Sequence, residues 1–77
     1  MRVLVLSVTG VLLDTEADSL TAPESDGLVG IMKHHAPMVA ALEKGTLSCT
    51  KDGETKTFEL SGGVLEVKDD IVTILTD

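Results

Sequence analysis

The sequence predicts an all-β fold, a small β-sandwich of two antiparallel sheets, and three observations predict it. Nine Val, three Ile and nine Thr make up 21 of the 77 residues, and β-branched side chains suit a pleated, half-buried surface. Apolar stretches are short, and turn signals separate them every eight to twelve residues or so. No segment keeps a helical apolar period long enough for a stable helix. All 77 residues read as one domain. For 8.1 kDa, surface scaling gives about 4,500 Å² of folded surface and burial of roughly 60% of the chain, so the isolated domain has little stability to spare.

Arg2 to Thr9 reads as a strand, apolar on both faces at its start, and Val11 to Leu13 continues after Gly10. Asp14 to Ser19 is polar and reads as a loop or a weak edge strand. Leu20 to Ala22 pairs briefly before Pro23. The run Pro23-Glu24-Ser25-Asp26-Gly27 is a turn, because proline presets φ and glycine supplies the permissive position. Leu28 to Met32 is a strand. Lys33 to Pro37 is a loop, since the residue before Pro37 is biased away from helix. Met38 to Leu42 is ambiguous: Ala40, Ala41 and Leu42 favour helix, but the stretch before Gly45 is too short to hold one.

Thr46 to Thr50 alternates polar and apolar, with Leu47 and Cys49 on one face. Asp52-Gly53 marks a tight hairpin. Thr55 to Leu60 alternates again, with Phe58 and Leu60 inward. Ser61-Gly62-Gly63 is a break or bulge. Val64 to Val67, a turn at Asp69-Asp70 and Ile71 to Thr76 complete the chain.

Composition excludes several functions. Six basic against thirteen acidic residues give a net charge of −7, which repels nucleic acid and anionic lipid. Phe58 is the one aromatic residue, so there is no platform for stacking bases or sugars. No apolar run approaches the roughly 20 residues of a membrane span. A single cysteine, Cys49, forms no internal disulfide and sits on an apolar strand face, which suits a core residue better than a nucleophile served by His35. His34 and His35 are adjacent and lack Cys, Asp or Glu partners at ligand spacing, so no metal is expected. Gly27-x-x-Gly30 and Gly62-Gly63 lack the lysine and Ser/Thr of a phosphate loop, and no cofactor is expected. Met32-Lys33 is similar to the lysine-bearing turn of biotin and lipoyl carrier domains, although His34 replaces the hydrophobic residue that pattern wants. A carrier domain modified at Lys33 is therefore the alternative reading.

Two segments are more specific. Gly27-Leu28-Val29-Gly30-Ile31-Met32-Lys33-His34-His35-Ala36-Pro37 resembles a signature of the epsilon subunit of rotary F-type ATP synthases: paired glycines, an aliphatic pair, then a loop ending in His-Ala-Pro. Leu60-Ser61-Gly62-Gly63-Val64-Leu65-Glu66-Val67 with Ile71-Val72-Thr73-Ile74-Leu75 resembles the same family's Gly-Gly hairpin. The similarity covers essentially the whole chain and corresponds to the family's N-terminal β-sandwich. The sequence departs from the pattern at Lys33 and at Val8, where the family usually has proline. Typical members also continue into two C-terminal helices, whereas this chain stops at Asp77 and reads as a truncated or short member without the helical domain. The family's inhibitory and nucleotide-sensing functions belong to those helices.

The resemblance implies a non-catalytic rotor subunit that joins the gamma subunit to the ring of membrane c subunits and supports torque transmission for ATP synthesis. It implies one copy per complex, held peripherally on the cytoplasmic side of a bacterial inner membrane. It also implies that Ser7, His35 and Pro37 lie towards gamma, that Asp26, Gly27 and Leu28 face the c-ring, and that Gly30, Gly62 and Gly63 serve structural turns.

Overall fold

The computed structural model describes all residues, 1–77, and contains nine strands and no helix: β1 (Arg2–Ser7), β2 (Gly10–Glu16), β3 (Ser19–Glu24), β4 (Gly27–Met32), β5 (Met38–Leu42), β6 (Gly45–Lys51), β7 (Glu54–Leu60), β8 (Gly63–Lys68) and β9 (Ile71–Leu75). Strand pairing follows the path β2-β1-β9-β8-β5-β3-β6-β7, with β4 on the other side of β3. The path folds into two layers. One is β2-β1-β9-β8-β5 and the other is β4-β3-β6-β7, and the single pair Glu24–Leu42 joins them. The accessible surface is 4613 Å², close to what the mass alone suggests.

The all-β sandwich is as the sequence predicts, with one local difference. β1 and β9 pair in parallel, from Arg2–Ile71 to Leu6–Leu75, while every other pairing is antiparallel.

The core follows from period-2 alternation. In the five-stranded layer one inward row runs Leu13–Val5–Ile74–Leu65–Ala40 across the strands. The four-stranded layer answers with Leu20, Ala22, Ile31, Leu47, Cys49 and Leu60. These side chains form one buried cluster with Val3, Val5, Leu65, Val67, Val72 and Ile74. No polar or charged side chain is buried, so the side chains of the core carry no polar desolvation cost.

Two local expectations, at Pro23 and Gly30, are corrected, and two open ones are resolved, the edge-strand reading holding for Asp14–Glu16. Asp14–Glu16 belongs to β2, because β1 is apolar on both faces and holds this polar stretch through pairs such as Leu4–Asp14 and Arg2–Glu16. Arg2 reinforces the ladder with a two-pronged hydrogen bond to Asp14, at 3.1 and 2.9 Å. Pro23 is not part of a turn but lies buried inside β3. β3 pairs with β6 from Ser19 to Thr21 and meets β5 only at Glu24, and a strand proline is tolerated at such a gap in the ladder. Gly30 is likewise no turn residue. It sits within β4 opposite Thr21, and the continuous β3–β4 ladder keeps it extended. The ambiguous stretch Met38–Leu42 is strand β5, because β8 pairs with all five of its residues.

The remaining turns follow the expected chemistry. Asp52 and Gly53, with φ of 51° and 79°, and Asp69 and Asp70, with φ of 52° and 61°, are two-residue hairpin loops of the type that needs positive φ at both central positions. Gly62 and Gly63 carry φ of 122° and 143°, values open to glycine.

Candidate functional site

The order of strands sorts every loop to one of two ends. One end gathers Ala17–Asp18, the Lys33–Pro37 connection, Asp52–Gly53 and Asp69–Asp70. The opposite end gathers Val8–Thr9, Ser25–Asp26, Glu43–Lys44 and Ser61–Gly62. A strand of six residues separates the ends by about 20 Å.

The first end is knitted by backbone and carboxylate contacts. The Met1 amino group donates to the Ala17 carbonyl at 2.9 Å and lies 3.6 Å from Glu16 and 3.8 Å from Asp70. Asp70 accepts the His34 backbone N–H at 2.7 Å. Asp18 accepts the Asp52 N–H at 3.0 Å and pairs with Lys33 at 2.9 Å. These N–H donors hold both carboxyls below the ordinary aspartate range, with Lys33 adding to the effect at Asp18. No group of three or more His, Cys, Asp or Glu side chains forms a metal-binding set.

Lys33 is thus engaged with Asp18 at the start of a five-residue connection, a poor setting for a freely presented carrier lysine. In the same connection His35 is exposed. Its Nδ1 lies 2.7 Å from the Ala36 carbonyl oxygen, which can only accept, so Nδ1 carries the proton and Nε2 is left unengaged. Pro37 follows and lines a shallow groove of about 290 Å³ with Val39, Glu66 and Lys68.

Ser7 lies at the other end, where its Oγ accepts the Thr9 N–H at 3.2 Å and meets Thr9 Oγ1 at 2.8 Å. The structure therefore does not bring Ser7 beside His35 and Pro37; they stand at opposite ends of the five-stranded layer. Asp26, Gly27 and Leu28 share the end of Ser7 but belong to the four-stranded layer. Leu28 is 73% exposed, and Glu24, Asp26 and Glu43 at this end are balanced by Lys44 alone among the basic residues of its turns.

The feature that residue-by-residue reading of the sequence misses is an outward apolar row. Cross-strand register places Val11, Leu6, Leu75, Val64 and Ala41 side by side on the outer face of the five-stranded layer. Val39 stands beside the row, 70% exposed. Of the nine exposed large hydrophobic residues, only Leu28 and Met32 lie outside this layer and its turns. The other outer face is different in kind: Thr57–Ser48–Thr21–Gly30 runs across one row and Thr55–Thr50–Ser19–Met32 across the next. In the sequence only Arg2–Thr9, apolar on both faces at its start, hints at the row; without the register, its members are scattered over five segments.

Cys49 is buried as expected, and burial pushes its thiol above the ordinary cysteine value. It lies beneath Leu13, Lys56 and Phe58, where the edges of β2 and β7 face each other.

The whole chain, residues 1–77, matches the family described as ATP synthase, Delta/Epsilon chain, beta-sandwich domain. It is 44% identical over 77 residues to the ATP synthase epsilon chain of Leptospira borgpetersenii serovar Hardjo-bovis (strain JB197), covering all of this chain and 61% of that one. It is 44% identical over 73 residues to the ATP synthase epsilon chain of Roseiflexus sp. (strain RS-1), covering 95% of this chain and 52% of that one. The chain therefore spans about half to three-fifths of the length of these relatives. Among solved structures, a chain of the Euglena gracilis mitochondrial ATP synthase, OSCP/F1/c-ring, superposes with a TM-score of 0.87 at 25% identity, over 96% of this chain and 48% of that one. A chain of the Tetrahymena thermophila mitochondrial ATP synthase central stalk/c-ring has the same fold, with a TM-score of 0.81 at 20% identity over 99% of this chain and 62% of that one.

Proposed function

The chain belongs to the delta/epsilon β-sandwich family of ATP synthases, and from that membership we propose that it is a non-catalytic rotor element linking the gamma subunit to the c-ring. The observation that carries this reading is the asymmetry of the two outer faces. An apolar row five strands wide is out of place on a free-standing domain this small and marks a protein-binding surface. The hydroxyl-lined face opposite has no such demand.

In this reading gamma covers the apolar face. Pro37 and His35 border it at one end and Ser7 at the other, so the residues implied by the family resemblance bracket the row rather than form a cluster. Glu66, which has no cationic partner within the chain, lies beside Val39 and Thr73 on this face and asks for a basic group on gamma. The c-ring meets the end that carries Asp26, Gly27 and Leu28, where excess negative charge favours a basic surface. The two contacts are roughly at right angles, one on a face and one at an end, as a coupling between stalk and ring requires. Torque passes through a closely packed core of low compressibility. The subunit contributes no chemistry to ATP synthesis. It sits peripherally on the cytoplasmic side of a bacterial inner membrane, one copy per complex. A carrier role for Lys33 finds no support beside this membership and the Asp18–Lys33 pair.

The test is association with gamma. Val39→Lys, opposite Glu66, and Leu75→Glu place charge on the apolar face at exposed positions and should abolish co-elution with gamma while leaving the fold intact. Thr57→Glu, on the hydroxyl face, should not. Equal binding by all three contradicts the assignment.

A further inference from the structure

Four residues other than glycine adopt positive φ: His34 at 63°, Asp52 at 51°, Asp69 at 52° and Asp70 at 61°. Three of them meet at one contact. The Asp70 carboxylate, in the β8–β9 turn, accepts the His34 backbone N–H at 2.7 Å. Backbone strain of this kind persists only where surrounding contacts enforce it, and it gathers at sites whose shape matters. His34 is the third residue of a tight turn, closed by the His35 N–H donating to the Met32 carbonyl at 3.2 Å. Positive φ at that corner is the place of glycine or asparagine, so histidine there needs help from outside the turn. The Lys33–Pro37 connection also crosses between the layers, from β4 to β5. Lys33 ties it to Asp18, which holds the β6–β7 turn through the Asp52 N–H. Asp70 ties it to the β8–β9 turn of the other layer.

We infer that Asp70 is a positioning residue for the gamma contact: it holds His34 in the left-handed conformation and so sets the direction in which His35 and Pro37 leave the turn. This role rests on the rotor reading, in which His35 and Pro37 border the face that gamma covers, and it explains how that border is built. An ionised carboxylate makes a short, strong bond to a backbone N–H. Here the carboxylate comes from the hairpin β8–β9, whose Val64 and Leu75 lie in the apolar row, so loop and face are held in one frame. Without the bond, His34 is free to return to negative φ, and His35 leaves the turn along another path. Fewer chains then carry a loop ready to bind, and the apparent affinity falls by the same fraction. The Met1 amino group lies 3.8 Å from the same carboxylate, so the test must separate charge from hydrogen bond. Asp69 shares the turn, and its positive φ serves the hairpin alone.

Gamma binding by Asp70→Gly tests this, because Asp-Gly suits a two-residue hairpin turn and the fold survives the loss of the carboxylate. Affinity for gamma should fall about tenfold, and the His34 amide should exchange with solvent faster than in the parent. Asp70→Asn, which keeps an acceptor oxygen, and Asp69→Gly, which keeps Asp70, should bind as the parent does. Adding His34→Gly to Asp70→Gly should restore binding, because glycine takes positive φ unaided. Equal binding by the parent and Asp70→Gly overturns the inference and leaves the rotor reading standing. So does a loss in Asp70→Asn as large as that in Asp70→Gly, since charge rather than the His34 bond would then matter. Failure of His34→Gly to restore binding overturns it too, since Asp70 would then touch gamma itself. A parent chain that binds no gamma overturns the rotor reading, and the role of Asp70 with it.

Discussion

The backbone carbonyl of Leu75 occupies the space that a side chain on Gly63 would need: a Cβ built on Gly63 would stand 2.1 Å from that oxygen. Gly63 begins β8, next to the Val64–Leu75 pair that starts the β8–β9 ladder, and its φ is 143°. Steric contact and conformation both demand glycine. Gly62, at φ 122°, has looser surroundings, with the nearest atom to its Cβ position, the Leu42 carbonyl oxygen, at 3.4 Å.

The two substitutions should therefore differ. Gly63→Ala should destabilise the domain by about 3 kcal/mol or more, because the β8–β9 ladder must open as well as bear strain. Gly62→Ala should cost about 1–2 kcal/mol from strain alone. Urea denaturation midpoints check the order, and equal or reversed losses contradict the geometry.

The glycine pair was legible in the sequence because a Gly-Gly break between two alternating strands has few physical meanings. Pro23 was not, and the reason is instructive. A proline followed by Glu-Ser-Asp-Gly reads locally as a turn, yet β3 extends past it because the ladder changes partner at that point and Gly45 leaves room for the ring: a Cβ on Gly45 would lie 2.8 Å from that of Pro23. The partner change is a long-range fact with no local trace. The same holds for the parallel β1–β9 pair and for the outward apolar row, whose members become neighbours only when register is set. The Ser25–Asp26 turn and the exposed His35 loop, by contrast, were readable from their own residues.

Acid should weaken the fold through Asp18 and Asp70. Both carboxyls are held below the ordinary value of 3.8 in the folded chain, chiefly by the backbone N–H groups of Asp52 and His34. Their stabilising contribution is complete above that value and is lost as pH falls through the lower folded values. Thermal midpoints should drop below about pH 4, and Asp18→Asn with Asp70→Asn should flatten the decline. An unchanged slope in the double variant counts against these contacts.

Cys49 should be inert in the folded chain. It is 6% exposed, and its thiol is shifted upward by burial, so little thiolate is available. A thiol reagent at neutral pH should modify it at the rate of unfolding and rapidly in denaturant. Fast modification of the native chain would show that the gap between β2 and β7 opens readily.

The apolar face should tolerate charge in isolation. At Val39, 70% exposed, lysine should change stability by no more than about 0.5 kcal/mol, since it enters water opposite Glu66 rather than the core. A larger loss would mean that the face packs against part of this chain.

Site-directed crosslinking inside an assembled ATP synthase tests the central claim most directly. With Val39→Cys and Leu28→Cys introduced separately, position 39 should capture gamma and position 28 a c subunit, while Thr57→Cys on the hydroxyl face should capture neither. Capture of the same partner from positions 39 and 28, or capture of gamma from position 57 and not from position 39, would contradict the account.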